Sequence, residues 1–358
     1  MIRILHAADL HLDSPFAAMR PDQAADRREE QREVLTRLIR ECNERECDLL
    51  LLAGDLFDSD EIYRDTTDLL CRLLAQCRAR VFIAPGNHDF YTPSSVYATV
   101  NWPENVHVFQ SEQVEAVRLE GVTVYGAAFT GPHATGLMRG FCAEADGNRS
   151  VMVIHGELSD RDGLYNSISV ADVAGSDLDY LALGHVHEDS LRSVGGTTVG
   201  IPGCAMGRGF DETGEKGAFY VEVDSSGCRV LPVPLGAKQY LRLSVDVQND
   251  VFSEIEAAIP ANAAQTICRL TLTGECQAPD LNALQRAFGG RFDTLELVDK
   301  TLPPKDVWED CGADSLKGIF LQRMLEIYEK AEDEDRRTVA LAAKLGRDLL
   351  EGREVRAE

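Results

Sequence analysis

Five short apolar runs in this chain stop on aspartate, histidine or asparagine, and that pattern constrains the fold more than anything else in it. "AADLHLD" carries Asp9 and His11, and "LAGDLFD" carries Asp55 with Asp58 nearby. "VFIAPGNHDF" releases Asn87, His88 and Asp89, "VIHGE" ends in His155, and "LGHVHED" supplies His185 and His187. Pro85-Gly86 and Asn87 are ordinary turn residues. A turn explains one such ending, but not all of them. The chain has 8 histidines, and His11, His88, His155, His185 and His187 all fall in these endings, which leaves His6, His107 and His133 as structural or surface residues. In extended backbone, residues i and i+2 point the same way, so Asp9/His11 and His185/His187 can each converge on one point.

The runs are set in a recognisable order. "IRILHAA" reads as a strand, and Pro21-Asp22 starts a long helix with Val34, Leu35, Leu38, Ile39 and Cys42 on one face. "DLLLLAG" reads as a buried strand, residues 64–79 as a second helix, and "RVFIAPG" as a third strand. Many strands follow at short intervals up to "CRVLPVP". Early strand–helix units followed by a run of strands predict two packed sheets flanked by helices. The Pro- and Gly-bearing "LPVPLGAK" marks a boundary. Beyond it, strand, helix, strand, helix and strand make a small α+β unit, closed by "TLPPKD". Two helices joined by an acidic "EDEDRR" hinge complete the chain, and the first bears Leu316, Ile319, Phe320, Met324, Ile327 and Tyr328. The expected divisions are 1–237, 238–304 and 305–358.

A hydrophobic fraction of 44% and a charged fraction of 27% suit a chain with a real core. The 36 Lys and Arg against 60 Asp and Glu leave a net charge of −24, the wrong sign for holding a polyanion unaided. No apolar run approaches the roughly 20 residues of a membrane span, and the N-terminal segment is a poor signal peptide. Ten scattered cysteines without a CxxC read as reduced thiols, which points to the cytoplasm.

Imidazole mixed with carboxylate suits Mn, Fe, Zn or similar ions, and the donors are too many for one ion, so a two-metal site is the natural reading. The ordered set D-x-H, GD, GNHD, H-G and GH-x-H resembles the calcineurin-like metallophosphoesterases over roughly residues 2–234. "HAADLHLDSPF" and "GRGFDETGEKG" further resemble the SbcD-type nuclease subunits of DNA repair complexes, in their YhaO-like bacterial branch.

The resemblance implies an αββα metallophosphoesterase sandwich with a small capping domain and C-terminal helices. It implies that Asp9, His11 and His187 bind one metal, that Asn87, His155 and His185 bind the other, and that Asp55 bridges them. Mn2+ is the expected ion, with Fe, Zn and Mg as alternatives. His88 then ligates neither ion and acts as the acid beside the scissile phosphate, with Asp89 holding its ring and Asp58 as a further orienting group. The nucleophile is a hydroxide shared by the metals. Where many relatives read Tyr-x-Gly-Ser, this chain has "GIPGCAMGRGF", with Cys204 near the serine position. Arg208 follows, either as a phosphate contact or as a surface residue in a glycine-rich loop. The activity implied is metal-dependent exonuclease action on DNA ends, with an SMC-like, SbcC-type ATPase as partner and a homodimer left open. The alternatives are another phosphoesterase of the same superfamily, acting on monoesters or cyclic nucleotides, or a scaffold for the ATPase.

Overall fold

The computed structural model describes residues 1–59, 61–248, 250–303 and 305–353. Pro304, the expected end of the small domain, and residues 354–358 lie outside them. The chain forms two compact units, Met1–Ala237 and Lys238–Glu358.

In the first unit the strands are β1 (Ile2–Ala7), β2 (Leu49–Leu52), β3 (Arg80–Ile83), β4 (Val106–Val108), β5 (Glu115–Leu119), β6 (Val122–Gly126) and β7 (Arg149–His155). They continue as β8 (Glu157–Leu158), β9 (Ser167–Ile168), β10 (Tyr180–Gly184), β11 (Ser190–Val194), β12 (Thr197–Ile201), β13 (Gly217–Asp224) and β14 (Gly227–Pro234). The helices are α1 (Pro21–Glu44), α2 (Arg64–Gln76), α3 (Val96–Thr99) and α4 (Val170–Ala174). One sheet runs β14-β13-β1-β2-β3-β4 and the other β11-β12-β10-β7-β6-β5.

The unbroken apolar runs follow from burial on both faces of each sheet. Alternate residues go to different cores. Leu5, Leu50, Leu52, Val81 and Ile83 pack with Val34, Leu35, Leu38 and Ile39 of α1. Their neighbours Ile4, Leu49, Leu51 and Phe82 pack instead with Val151, Val153, Tyr180 and Ala182 of the other sheet. On the far side, Met152, Ile154, Leu181 and Leu183 meet Val173 of α4. The result is two sheets face to face with helical cover outside, as the sequence predicts. Pro at the first position of α1 fits the helix start, and its five predicted core residues are all buried. The second helix stops at Gln76, three residues before its expected end, because Cys77 is already extended.

What this topology does for function is align strand ends. β1, β2 and β3 run parallel, as do β7, β10 and β12. Each polar ending therefore leaves its sheet at the carboxyl edge, where ligands of parallel sheets usually bind.

In the second unit, β15 (Gln239–Asp246), β16 (Thr266–Thr273) and β17 (Thr294–Asp299) form a parallel sheet. The crossovers carry α5 (Val251–Ala258) and α6 (Leu281–Phe288). The final helices are α7 (Leu316–Lys330) and α8 (Asp333–Leu350). The acidic segment is not a hinge. Only Ala331 and Glu332 separate the helices, and the residues after them already belong to α8. The apolar residues of α7 divide between two faces. Phe320 and Met324 pack against a small core of Val307, Leu321 and Ala343, whereas Leu316, Ile319 and Ile327 are exposed. No helix among the described residues is long and apolar enough to cross a membrane.

Candidate metal centre

Asp9, His11, Asp55, Asn87, His155, His185 and His187 come together between the carboxyl edges of the two sheets. His11 Nε2 and His187 Nε2 lie 3.2 Å apart. Asp9 Oδ1 is 3.9 Å from the first and 3.6 Å from the second. On the other side, Asn87 Oδ1 lies 3.0 Å from His155 Nε2 and 3.2 Å from His185 Nδ1. Asp55 Oδ2 sits between the halves, 3.9 Å from His11 Nε2 and 3.5 Å from His155 Nε2.

The route to this convergence differs from the expected one. Asp9, His11 and Asp55 have φ of 51°, 44° and 49°, and His185 has 95°. These are left-handed backbones that non-glycine residues rarely adopt, costing on the order of 1–3 kcal/mol each. Asp9 and His11 are therefore not an extended i, i+2 pair. A tight loop turns them to one point, held by Asp9 N donating to Gly54 O and His11 N to Asp55 O. His185 and His187 do not share a point either. His185 turns to Asn87, and His187 turns to His11 and Asp9.

Two glycines let the strand ends approach so closely. A Cβ at Gly54, whose φ is +87°, would lie 2.2 Å from His155 Nδ1. One at Gly86 would lie 2.1 Å from Asp55 Oδ1. The glycines of "LAGD" and "PGNHD" are thus steric requirements of the centre.

The donors fit divalent cations. His155 Nδ1 donates to Ala53 O at 2.9 Å, so its Nε2 presents a lone pair toward the carbonyl oxygen of Asn87. His187 Nδ1 donates to Glu212 Oε1 at 2.6 Å, so its Nε2 lone pair faces His11. Acceptors that face each other at such distances need a positive charge between them. For metal–nitrogen bonds of about 2.1 Å, two ligands on one ion stand roughly 3.0–3.4 Å apart. The electrostatics agree. Burial works against charge on His187, but the Asp9 carboxylate nearby and the hydrogen bond to Glu212 outweigh this and push its pKa up to about 9. Burial likewise opposes ionisation of Asp9, yet the nearby imidazoles of His187, His155 and His11 hold its carboxyl below the usual range. A bound cation would take the place of the proton that the site otherwise holds.

His88 stands at the edge of the cluster. Its ring meets the His11 ring edge-on, with centroids 5.0 Å apart, and the residue is exposed. The expected role of Asp89 is corrected here. Asp89 does not hold the His88 ring. Its buried carboxylate accepts from the backbone N–H groups of Leu56, Phe57 and Gly86 and from the Tyr97 hydroxyl, and so braces the loop after β2. Residues adjacent in the chain point apart, and Asp89 turns inward as His88 turns outward. The group that fixes His88 is the backbone carbonyl of Asp58, which accepts from Nδ1 at 2.9 Å.

Asp58 is also placed behind a ligand, with Oδ1 3.2 Å from His11 Nδ1 in an ion-pair contact. Arg208 is no isolated surface residue. Nη1 donates to Asp58 Oδ1 at 2.6 Å and Nη2 to Glu212 Oε1 at 3.1 Å. Glu212 is a residue the motifs did not single out, although it lies four residues after Arg208 in "GRGFDETGEKG". Burial opposes its charge, but the hydrogen bond to His187 and the charge of Arg208 hold its carboxyl well below the usual carboxylate range. Asn166 is a second such residue. Fully buried, it donates from Nδ2 to His155 O at 2.8 Å and accepts at Oδ1 from Leu137 N at 2.9 Å.

With the donor set and its scaffold in view, the family follows. The chain belongs to the calcineurin-like phosphoesterase family, whose sequence profile matches residues 2–189. It is 33% identical over 239 residues to an uncharacterised metallophosphoesterase, YhaO, of Bacillus subtilis (strain 168). That match covers 62% of this chain and 57% of the relative, so the chain spans little more than half the relative's length. Among solved structures, a dimetal phosphatase from Danio rerio is 11% identical, covering 65% of this chain and 99% of its own, with a TM-score of 0.42. A protein of Thermus thermophilus is 12% identical, covering 64% and 98%, with a TM-score of 0.41.

Proposed function

We propose that this chain is a two-metal phosphodiesterase that acts on DNA ends as the nuclease subunit of an SbcC–SbcD-like complex in the cytoplasm. The observation that carries the hydrolytic part is the seven-donor cluster with the exposed imidazole of His88 beside it. In this reading Asp9, His11 and His187 hold one divalent cation, Asn87, His155 and His185 hold the other, and Asp55 serves both. Two divalent cations at such a site polarise a phosphoryl oxygen and make water acidic enough to attack near neutral pH. Imidazole donors favour Mn2+ over Mg2+.

The chain's own residues do the rest. Asp9 and Asp55 offset only part of the cationic charge, and Asn87 contributes a neutral oxygen, so a phosphate oxyanion is attracted. The His88 Nδ1–H is held by the Asp58 carbonyl, which leaves Nε2 on the open side of the ring. A proton carried on that Nε2 can pass to the leaving oxygen, help of about 10²–10⁴-fold.

DNA and the ATPase partner are supported by the SbcD-type motifs and by two physical features. A chain at −24 needs another subunit's basic surface to hold a polyanion. The exposed Leu316, Ile319 and Ile327 of α7 give an apolar face that suits docking on a helical partner. None of the ten cysteines is in a disulfide, in keeping with a reducing compartment.

The test is to assay the pure chain, with Mn2+, on linear DNA and on bis(p-nitrophenyl) phosphate, with and without an SbcC-type ATPase. The expected result is metal-dependent diester hydrolysis alone and ATP-stimulated DNA degradation with the partner. Hydrolysis of monoesters only, or full activity in excess EDTA, would overturn the proposal.

A further inference from the structure

We infer that Arg208 is a positioning residue that locks two ligand histidines and His88 into one frame, and that it does not hold the substrate phosphate. The inference rests on the metallophosphoesterase reading of the centre and deepens it.

His11 and His187 present their Nε2 atoms to the same point, and each has a carboxylate at its back. Asp58 Oδ1 lies 3.2 Å from His11 Nδ1, and Glu212 Oε1 lies 2.6 Å from His187 Nδ1. The guanidinium of Arg208 joins those two carboxylates, with Nη1 on Asp58 and Nη2 on Glu212. Its backbone N–H also donates to Glu212 Oε2, at 2.7 Å. The chain of contacts closes on itself: His11, Asp58, Arg208, Glu212, His187 and back to His11 across 3.2 Å. Asp58 carries a second load, because its carbonyl fixes His88.

Chemistry favours this role over phosphate binding. Both terminal nitrogens of the fork are engaged by carboxylates, and the Nε is buried. Reaching a phosphate would leave the half-buried Asp58 and the buried Glu212 without their shared cation, behind buried His11 and half-buried His187, and uncompensated charge away from water is costly. Lysine can substitute only in part, because a point charge does not span two carboxylates as a planar fork does. The loop bearing Arg208 is itself braced, since Arg27 Nη2 on α1 donates to Gly207 O at 2.6 Å.

The other half of the centre is held differently, so the consequence is one-sided. Loss of Arg208 should loosen the ion at His11 and His187 and spare the ion at Asn87, His155 and His185. Groups behind metal ligands typically contribute about 10–100-fold to affinity.

The experiment is Mn2+ titration of the wild-type chain, Arg208→Met and Arg208→Lys by calorimetry, with Mn2+ spin-resonance spectra to distinguish paired from single ions. Steady-state hydrolysis of bis(p-nitrophenyl) phosphate is then measured at saturating Mn2+. For Arg208→Met, one Mn2+ should bind as in wild type and the other about 10–100-fold more weakly, with KM unchanged once both are bound. Arg208→Lys should recover only part of the loss. A raised KM with both Mn2+ affinities intact would make Arg208 a phosphate contact and overturn the inference, as would full rescue by lysine. If Arg208→Met does not fold, as judged by its thermal melt, Asp58→Asn should give the same one-sided loss, and two wild-type affinities there would overturn the inference. A wild-type chain that binds no Mn2+ would instead sink the underlying reading of the centre.

Discussion

The two halves of the candidate centre are built from similar donors but held by different means. His155 is fixed by main chain and by a buried amide. Its Nδ1 donates to Ala53 O, and its own carbonyl accepts from Asn166. His11 and His187 are backed by the side chains of Asp58 and Glu212, which are themselves joined by Arg208. A main-chain carbonyl, here that of Ala53 just past β2, cannot be mutated away. A carboxylate can be changed, so the His155 half rests partly on the backbone and the other half on side chains alone.

The largest effect should come from the residue common to both halves. Asp55→Asn should strip both cations and abolish hydrolysis, a loss beyond the roughly 10–100-fold expected for groups behind the ligands. Metal analysis after reconstitution checks it, and two retained ions per chain would refute the bridging role. His88→Gln belongs to neither half. It should keep both ions and lose about 10²–10⁴ in rate on DNA, with a smaller loss on a nitrophenyl ester, whose leaving group needs little protonation. Equal losses on both substrates would contradict the acid role.

The half held largely by main chain should be most sensitive to changes in the backbone. Gly54→Ala places a methyl 2.2 Å from His155 Nδ1 at a φ of +87°, so it should cost at least about 1–3 kcal/mol and disturb the Asn87/His155/His185 ion first. Chemical denaturation and Mn2+ titration read the two effects separately.

The smallest effect calibrates the rest. His6, fully buried on β1, meets the Tyr180 hydroxyl at 2.9 Å, and burial pushes its pKa down to about 3. The folded value is depressed, so this group's stability contribution is complete above the unfolded value near 6.5 and is lost as pH falls from there toward 3. His6→Gln should therefore flatten the acid side of the stability curve relative to wild type. Melting temperatures between about pH 7 and 4 test it, and parallel curves would exclude His6 as a source.

Much of this is legible in the sequence. Period-2 burial on both faces explains why Leu49–Leu52 reads as an unbroken run, and the strand-end polar residues marked the carboxyl edge. Three kinds of information stayed hidden. Asp89 follows His88 directly, yet adjacency in a chain says nothing about which way a side chain turns, and this one braces the loop after β2. Glu212 is one of 60 acidic residues, and only folding brings it to a histidine 25 positions away. The left-handed backbone of Asp9 and His11 is imposed by the loop's contacts with Gly54 and Asp55, which a local reading of "DLH" cannot supply. The acidic stretch that opens α8 reads as a hinge for a related reason, since charge alone does not separate a hinge from a helix start.

The distribution of donors between the sheets has a consequence for how the protein comes into being. Asp9, His11, Asp55 and Asn87 belong to the first sheet, whereas His155, His185 and His187 belong to the second. During synthesis the early residues emerge with their carboxylates and amide lacking imidazole partners on the opposite sheet. The first sheet is also unfinished, because β13, which pairs with β1, is not made until residue 224. Cation capture at this centre would therefore be a late event in biogenesis that waits for both sheets to close. Once captured, the ions would rivet sheet to sheet, and unfolding would have to release them first, so the metal supply of the cell would set how long each copy survives.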